Sequence, residues 1–110
     1  MHKLLLLQVG HTFEEIARER GDYDAWFQRA LGRGDAEFRA LRVFAGEPLP
    51  ADFDYAAVVV TGSWSMVTDR EPWSEASADY LREAVARQRP ILGVCYGHQL
   101  LAHALSLIHI

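Results

Sequence analysis

One segment of the chain combines a possible nucleophile with a backbone pattern that would expose it. The segment 93–99 reads GVCYGHQ and holds the only cysteine in the sequence. An apolar run precedes it and a helix-forming run follows, so Cys95 is predicted to lie on a tight turn between a strand and a helix. Such a turn crowds the positions two residues to either side, and Gly93 and Gly97 occupy them. The spacing Gly-x-Cys-x-Gly therefore predicts a nucleophile elbow that carries a thiol.

This predicted turn would support catalysis in two ways. Cys95 would lie at a helix N-terminus, where unpaired backbone N–H groups favour the thiolate. The N–H of Tyr96 would be placed to donate to an oxyanion formed when the sulfur attacks a carbonyl. A lone cysteine is often only a small buried hydrophobe. The strand before Cys95, the helix after it and the following His98-Gln99 pair favour the catalytic interpretation.

Further segments upstream make the chain resemble the class I glutamine amidotransferases, most closely the small stand-alone bacterial members of GMP-synthase-like type. The elbow of that family reads Gly-x-Cys-x-Gly-x-Gln, with Gln99 at its last position here. The resemblance extends from about Leu4 to Ala104. The supporting upstream matches are Gln8-Val9-Gly10, Gly21-Asp22-Tyr23, Trp26-Phe27, Val60–Ser63 and Met66–Trp73.

The resemblance implies a reaction and roles for individual residues. Cys95 would attack the side-chain amide of glutamine, release ammonia and form a γ-glutamyl thioester that water hydrolyses. Tyr96 and Ser63 would supply the oxyanion N–H groups, while Gln99 and Gly62 would contact the substrate. The family normally has Gly-Gly-Pro where this chain has Gly62-Ser63-Trp64, so we expect that turn to be shaped differently, because serine tolerates a positive φ poorly. No metal or cofactor is implied, and the sequence does not identify the acceptor of the ammonia.

A cysteine nucleophile also needs a base, which the family supplies as a histidine and a glutamate well downstream of the elbow. This chain ends before that region. We interpret His98 as a packing or supporting residue and His103 as core or surface, which leaves His11, at the end of the first predicted strand, as the only geometric substitute. We therefore expect the 110-residue chain to be truncated and inactive alone.

The last six residues, Leu105–Ile110, read LSLIHI. They match one reading frame of a transposon end used in preparing sequencing libraries. We therefore expect the amidotransferase-like domain to occupy residues 1–104 and residues 105–110 to be a non-native tail.

The bulk composition fits one small domain. The chain of 110 residues carries 11 basic and 15 acidic side chains, a net charge of −4 spread along the predicted helices. No basic patch indicates nucleic-acid binding, and a single cysteine fits the reducing cytoplasm. The apolar start, Leu4–Leu7, is shorter than the h-region of a signal peptide and far shorter than the roughly 20 residues of a membrane span. We interpret it as part of a buried strand and expect no membrane partner.

Apolar runs alternate with amphipathic ones along the chain, which favours βαβ units and a parallel sheet. We predict an α/β fold, a flavodoxin-like three-layer sheet with helices on both faces, strand order 2-1-3-4, incomplete at the C-terminus. Ligands should then lie beyond the carboxyl ends of the strands. Trp64, Met66 and Trp73 could line the mouth of the ligand pocket or seal the core, and for the two tryptophans we favour packing. The predicted strands are Leu4–Val9, Phe38–Phe44, Ala56–Thr61 and Ile91–Val94; the predicted helices are Thr12–Arg20, with Thr12 and Glu15 as a capping box, Tyr23–Leu31, Ser74–Gln88 and Gln99–Ala104.

Two other classes of function remain open. One is a different cysteine-elbow hydrolase, either a γ-glutamyl peptide hydrolase or an intracellular protease or deglycase. The deglycases usually have a histidine next to the nucleophile, where this chain has Tyr96, and Gln99 favours the amidotransferases. The other class is non-enzymatic, an inactive fragment or a pseudoenzyme partner.

Overall fold

The computed structural model describes residues 3–31 and 37–105 and shows a parallel sheet with helices packed against it. The strands are β1 (Lys3–Gln8), β2 (Glu37–Arg42), β3 (Ala57–Val60) and β4 (Ile91–Gly93), and the helices are α1 (Glu14–Arg20), α2 (Tyr23–Leu31), α3 (Pro72–Ala86) and α4 (Tyr96–Ala104). All strand pairs are parallel, and the order across the sheet is β2-β1-β3-β4. The predicted α/β fold class and strand order are therefore confirmed.

The two central strands are apolar because both of their faces are covered. Leu5, Leu6 and Leu7 of β1 are all 0% exposed, and Val58–Val60 of β3 is equally buried. Side chains alternate along a strand, so Leu5 and Leu7 join the core under α3 and α4. Leu6 points to the opposite face, where α2 contacts β1. Continuous apolar runs of this kind are what a parallel sheet requires in its centre.

Helices α3 and α4 pack against each other on one face of the sheet and fix the position of the elbow. Leu81 and Leu100 are the fully buried leucines of this layer. Two polar contacts join α3 to the C-terminal end of α4. Arg82 Nε donates to the Ala104 carbonyl at 2.8 Å, and His103 Nε2 lies 2.9 Å from Glu75 Oε2. Within residues 3–31 and 37–105, no helix is long and apolar enough to cross a membrane.

The predicted capping box at the first helix is wrong. Helix α1 begins at Glu14 with Phe13 as its N-cap and no side-chain cap. The backbone N–H of Thr12 instead donates to Asp22 Oδ1 at 2.9 Å, and that oxygen also accepts the N–H of Tyr23 at 2.7 Å. A carboxylate that accepts two backbone donors forms stronger bonds than a neutral hydroxyl cap, so Asp22 sets the chain path here.

Other element bounds differ from the sequence expectation by a few residues. The second strand ends at Arg42 because Val43–Ala45 forms a 3₁₀ turn, which Gly46 closes at a φ of 95°. Helix α3 begins earlier, with Pro72 in its first turn, a position that costs no hydrogen bond. Helix α4 begins directly after Cys95. Residues 106–110 of the expected tail lie outside the described residues, so the boundary after Ala104 stays a prediction.

Candidate active site

Cys95 occupies a strained backbone conformation between β4 and α4. Its φ is 53° and its ψ is −111°, a region that non-glycine residues rarely adopt and that is often found at functional sites. Neighbouring hydrogen bonds hold the turn: the N–H of Gly97 donates to the Val94 carbonyl at 2.9 Å, and that of Gln99 to the Cys95 carbonyl at 3.1 Å. Cys95 is an exposed free cysteine. The turn thus presents a thiol to solvent at the first residue before a helix.

The two glycines of the elbow are required by close backbone contacts. A Cβ at Gly97 would lie 2.5 Å from the Val60 carbonyl oxygen, and one at Gly93 would lie 2.6 Å from the Gly97 carbonyl oxygen. Both distances are far inside van der Waals contact, and both neighbours are backbone atoms that cannot rotate away. The helix therefore packs against the end of β3 only if both positions lack a side chain.

The loop after β3 lies beside the cysteine. A Cβ at Gly62 would be 3.7 Å from the Cβ of Cys95. The loop after β1 contacts the loop after β3, since a Cβ at Gly10 would be 2.6 Å from the Cα of Ser63. The N–H of Val9 also donates to Thr61 Oγ1 at 3.1 Å. The carboxyl ends of three neighbouring strands, β1, β3 and β4, thus bring together segments that are far apart in sequence.

Several backbone N–H groups of the elbow and of the Gly62-Ser63 turn have no acceptor among the described residues, including those of Tyr96 and Ser63. Ser63 does not have a positive φ, so serine in place of the family's glycine introduces no strain. Its Oγ accepts the N–H of Ser65 at 3.1 Å, a local turn that serine often forms. The Gly62-Ser63 turn is therefore shaped by a side-chain hydrogen bond that glycine could not provide.

The side chain of Tyr96 anchors the elbow to α3. Its hydroxyl lies 2.6 Å from Ser74 Oγ, both groups are buried, and its ring is 5.9 Å from that of Trp73. Burial raises the pKa of Tyr96. The hydrogen bond between Tyr96 and Ser74 partly offsets this rise, and the carboxylate of Glu71 adds to it. The phenol therefore stays neutral at physiological pH. The sequence gives no sign of this pair, because its members are brought together only by the packing of α3 on α4.

The remaining candidate residues lie around this centre in different environments. Gln99 and His98 are on α4 and are exposed. His103 contacts Glu75, and His11 Nδ1 lies 2.9 Å from the Thr12 carbonyl oxygen. In the part of the chain that the structure describes, no histidine hydrogen-bonds to Cys95. Among the described residues the thiol thus lies beside the Gly62-Ser63 turn and directly before Tyr96, with no histidine hydrogen-bonded to it.

The two candidate tryptophans behave differently. Trp73 is partly buried against the hydrophobic core, as expected for packing. Trp64 is 64% exposed and stacks edge-on against Phe13, with 4.6 Å between ring centres, so the packing expectation is wrong for Trp64. It follows the Gly62-Ser63 turn, which holds it at the surface. Over the described ranges no group of three or more His, Cys, Asp or Glu side chains has the arrangement of a metal site.

Comparison with known proteins agrees with this geometry. The family model described as "Glutamine amidotransferase class-I" matches residues 26–107. The glutamine amidotransferase-like protein YfeJ of Salmonella typhimurium is 39% identical over 106 residues, which cover 91% of this chain and 43% of YfeJ. Gamma-glutamyl peptidases 4 and 2 of Arabidopsis thaliana are 29% and 27% identical over 104 residues, covering 93% and 92% of this chain and 41% and 42% of theirs.

A solved structure agrees as well. The crystal structure of a glutamine amido transferase from Methylobacillus flagellatus superposes with a TM-score of 0.71 at 25% identity, covering 96% of this chain and 39% of that one. The chain thus spans about two-fifths of the length of the relatives it matches. With a flavodoxin-like sheet and a family match over most of its length, the chain belongs to the class I glutamine amidotransferase family.

Proposed function

We propose that Cys95 is the nucleophile of a glutamine amidotransferase or glutaminase reaction. The observation that carries the proposal is the position of Cys95, which is strained and exposed before α4, with the unpaired N–H of Tyr96 following it and the Gly62-Ser63 turn beside it. Nucleophile elbows use this combination to attack a carbonyl and to stabilise the oxyanion that results. A buried structural cysteine would need neither the strain nor the exposure.

The reaction would proceed in two halves. The Cys95 thiolate attacks the side-chain amide carbon of glutamine, and the carbonyl oxygen becomes an oxyanion that accepts hydrogen bonds from Tyr96 and Ser63. The C–N bond then breaks, the nitrogen takes a proton and leaves as ammonia, and a γ-glutamyl thioester remains. Water attacks the thioester carbon, the C–S bond breaks, and glutamate and the thiol are released. Each oxyanion donor is worth about 10²–10³-fold in rate.

Two further residues would hold the substrate. Gln99 lies one turn of α4 beyond Cys95 and therefore on the same side of the helix, where its exposed amide can bind the backbone groups of glutamine. Gly62 allows the substrate to approach Cys95, because a side chain there would contact the Cβ of the cysteine. An exposed thiol stays reduced in the cytoplasm, which we propose as the compartment.

The base and its orienting partner would come from the family's histidine and glutamate, which belong downstream of the elbow. Since the chain spans about two-fifths of its relatives, the activity of the whole protein rests on residues beyond those described. We expect the 110-residue chain to be acylated at Cys95 by activated substrates and not to turn over glutamine. The acceptor of the ammonia would lie on another domain or protein.

Hydrolysis of γ-glutamyl peptides is the second candidate function. Two of the relatives are named gamma-glutamyl peptidases, and the chemistry at Cys95 would be the same with a larger leaving amine. A protease or deglycase function is less favoured, because Tyr96 follows the nucleophile where those enzymes usually have histidine. Comparing the protection of Cys95 by glutamine with that by a γ-glutamyl peptide separates the first two candidates.

The test is covalent labelling by a chloroketone analogue of glutamine, located by mass spectrometry of tryptic peptides. Because Cys95 is the only cysteine of the chain, the label has one thiol to modify. We expect label on Cys95, slowed by excess glutamine but not by excess asparagine, and none in the Cys95→Ser variant. A folded chain with no label on Cys95, or with labelling that glutamine does not slow, contradicts the proposal.

A further inference from the structure

A cleft of about 160 Å³ opens at the carboxyl edge of the sheet, next to the loop that carries Ser63. Its walls come from the segments that follow β1, β2 and β3 and from the residues at the start of α3. Because Gly10 lies against the Cα of Ser63, the cleft shares a wall with the loop that approaches Cys95. The lining residues that matter here are His11, Phe44, Ser63, Trp64, Glu71 and Trp73.

Glu71 is the acidic residue of this lining, and one of its oxygens lacks a partner. Oε2 is buried and has no hydrogen bond within residues 3–31 and 37–105. Glu71 directly precedes α3, yet its side chain does not cap that helix. A buried carboxylate oxygen without a hydrogen bond is costly, so the site is incomplete without a donor or a cation.

No lysine or arginine of the described part of the chain supplies that cation. The lining contains no lysine or arginine. Arg42 lies over the ring of Phe44 at 5.2 Å, but its guanidinium pairs with Asp22 at 3.5 Å. Arg70, next to Glu71 in sequence, is exposed to solvent.

The other walls of the cleft favour an organic cation over a metal ion. Phe44, Trp64 and Trp73 contribute aromatic rings, and the faces of such rings attract ammonium groups within about 6 Å. Hard metal ions prefer several oxygen ligands, and this lining offers a single carboxylate. A volume of about 160 Å³ also admits several heavy atoms, since a water molecule takes up about 30 Å³.

We propose that this cleft binds a primary ammonium group of the compound held at Cys95, with Glu71 as its carboxylate partner and the aromatic rings around its hydrocarbon. The inference rests on the proposed function, because it takes Cys95 as the point where that compound reacts. Two parts of a γ-glutamyl compound could carry the ammonium group: the α-carbon of the glutamyl half or the far end of the leaving amine. Both offer the same chemistry to Glu71.

The experiment compares the rates at which two chloroketones alkylate Cys95, one with the α-ammonium group of glutamine and one with hydrogen in its place. In each, the thiolate sulfur bonds to the methylene carbon and chloride leaves. A second arm measures protection by γ-glutamyl-4-aminobutylamide, which has an ammonium group in its leaving amine, against γ-glutamyl-butylamide, which has none. Both arms use the full chain, the Glu71→Gln variant and the matched control Glu75→Gln, whose carboxylate contacts His103.

We expect the wild-type chain to favour the ammonium-bearing compound in one arm by about tenfold or more, the range of a hydrogen bond to a charged group. Glu71→Gln should remove that preference, and Glu75→Gln should keep it. A preference in the first arm identifies the α-ammonium group, and one in the second arm the leaving amine. A preference unchanged by Glu71→Gln, or none in either arm, overturns the proposal.

A direct titration separates failure of this inference from failure of the proposed function. Butylammonium is added to the wild-type chain and to Glu71→Gln while tryptophan fluorescence is followed, since Trp64 and Trp73 line the cleft. If the chloroketones leave Cys95 unmodified, the proposed function fails, and the titration still decides on the cleft. Saturable quenching that Glu71→Gln weakens about tenfold or more supports the ammonium site, and quenching equal in both chains contradicts it.

Discussion

Replacement of Gly97 by alanine tests the close contact between the elbow and β3. The new Cβ would lie 2.5 Å from the carbonyl oxygen of Val60, 2.8 Å from its Cβ and 2.9 Å from its carbonyl carbon, where about 3.5–4 Å is the comfortable separation between carbon atoms. Val60 is paired with Leu7 on one side and Gly93 on the other, so β3 cannot retreat. Helix α4 must shift by about an ångström, at a cost of about 3 kcal/mol.

Alanine also recovers part of this cost. It is favoured over glycine in a helix and restricts the unfolded chain, which together offset about 1 kcal/mol. The net loss in the free energy of unfolding is then about 2 kcal/mol, which lowers the urea midpoint by about 1 M for a protein of this size. The assay is urea unfolding followed by fluorescence of the three tryptophans.

Gly62→Ala is the matched control for this measurement. Its Cβ would meet Cys95 at 3.7 Å, an ordinary contact, and Gly62 does not have a positive φ. We expect its free energy of unfolding to stay within about 0.5 kcal/mol of the wild-type value, while alkylation of Cys95 by the glutamine chloroketone becomes slower. Equal urea midpoints for Gly97→Ala and Gly62→Ala would refute the argument that backbone contact fixes the glycine at position 97.

Three further outcomes follow from the same contacts. Tyr96→Phe should lower the free energy of unfolding by about 1 kcal/mol, because it leaves the buried hydroxyl of Ser74 without its partner; urea unfolding measures this loss, and adding Ser74→Ala should restore most of it. Burial, reinforced by neighbouring Tyr55, raises the pKa of Tyr80 from 10.0 to about 12, so the contribution of Tyr80 to stability is complete below pH 10.0 and is lost as the pH rises through about 12. Urea unfolding midpoints measured across this pH window should therefore fall less in Tyr80→Phe than in the wild-type chain. An equal fall in both chains would contradict the assignment of this pKa to Tyr80. In a coupled ammonia assay, the 110-residue chain should release no more ammonia from glutamine than its Cys95→Ser variant does; clear turnover would mean that a histidine within the chain acts as the base.

The sequence predicts the sheet well because the strands are buried on both faces. Leu4–Val9 and Ala56–Thr61 were recognisable as unbroken apolar runs, and the structure places their cores in β1 and β3 at the centre of the sheet. The elbow could be predicted because the spacing Gly-x-Cys-x-Gly lies within one short segment, in which Gly93 contacts the carbonyl oxygen of Gly97. These features can be seen within short stretches of sequence, although the contact that excludes a side chain at Gly97 is made with Val60 of the distant strand β3.

Features that depend on distant residues could not be predicted in this way. The N–H of Thr12 is bound by Asp22, ten residues later, so the local pattern of a capping box was misleading. The pair of Ser74 and Tyr96 is separated by 22 residues and forms only when α3 packs on α4. Glu71 Oε2 is buried without a hydrogen-bond donor among the described residues, and the spacing of residues in the sequence does not reveal such an atom.

The central claim, that Cys95 attacks the side-chain carbonyl of a γ-glutamyl compound, is tested most directly by trapping the thioester. The γ-p-nitrophenyl ester of glutamate carries a leaving group that departs as the p-nitrophenolate anion, so acylation of the Cys95 thiolate does not require a general acid to protonate it. Intact-mass spectrometry of the chain after brief incubation should show the addition of one γ-glutamyl group, mapped to Cys95, removed by hydroxylamine and absent in Cys95→Ser. A folded chain that gains no γ-glutamyl group, or an adduct that persists in Cys95→Ser, would contradict the account.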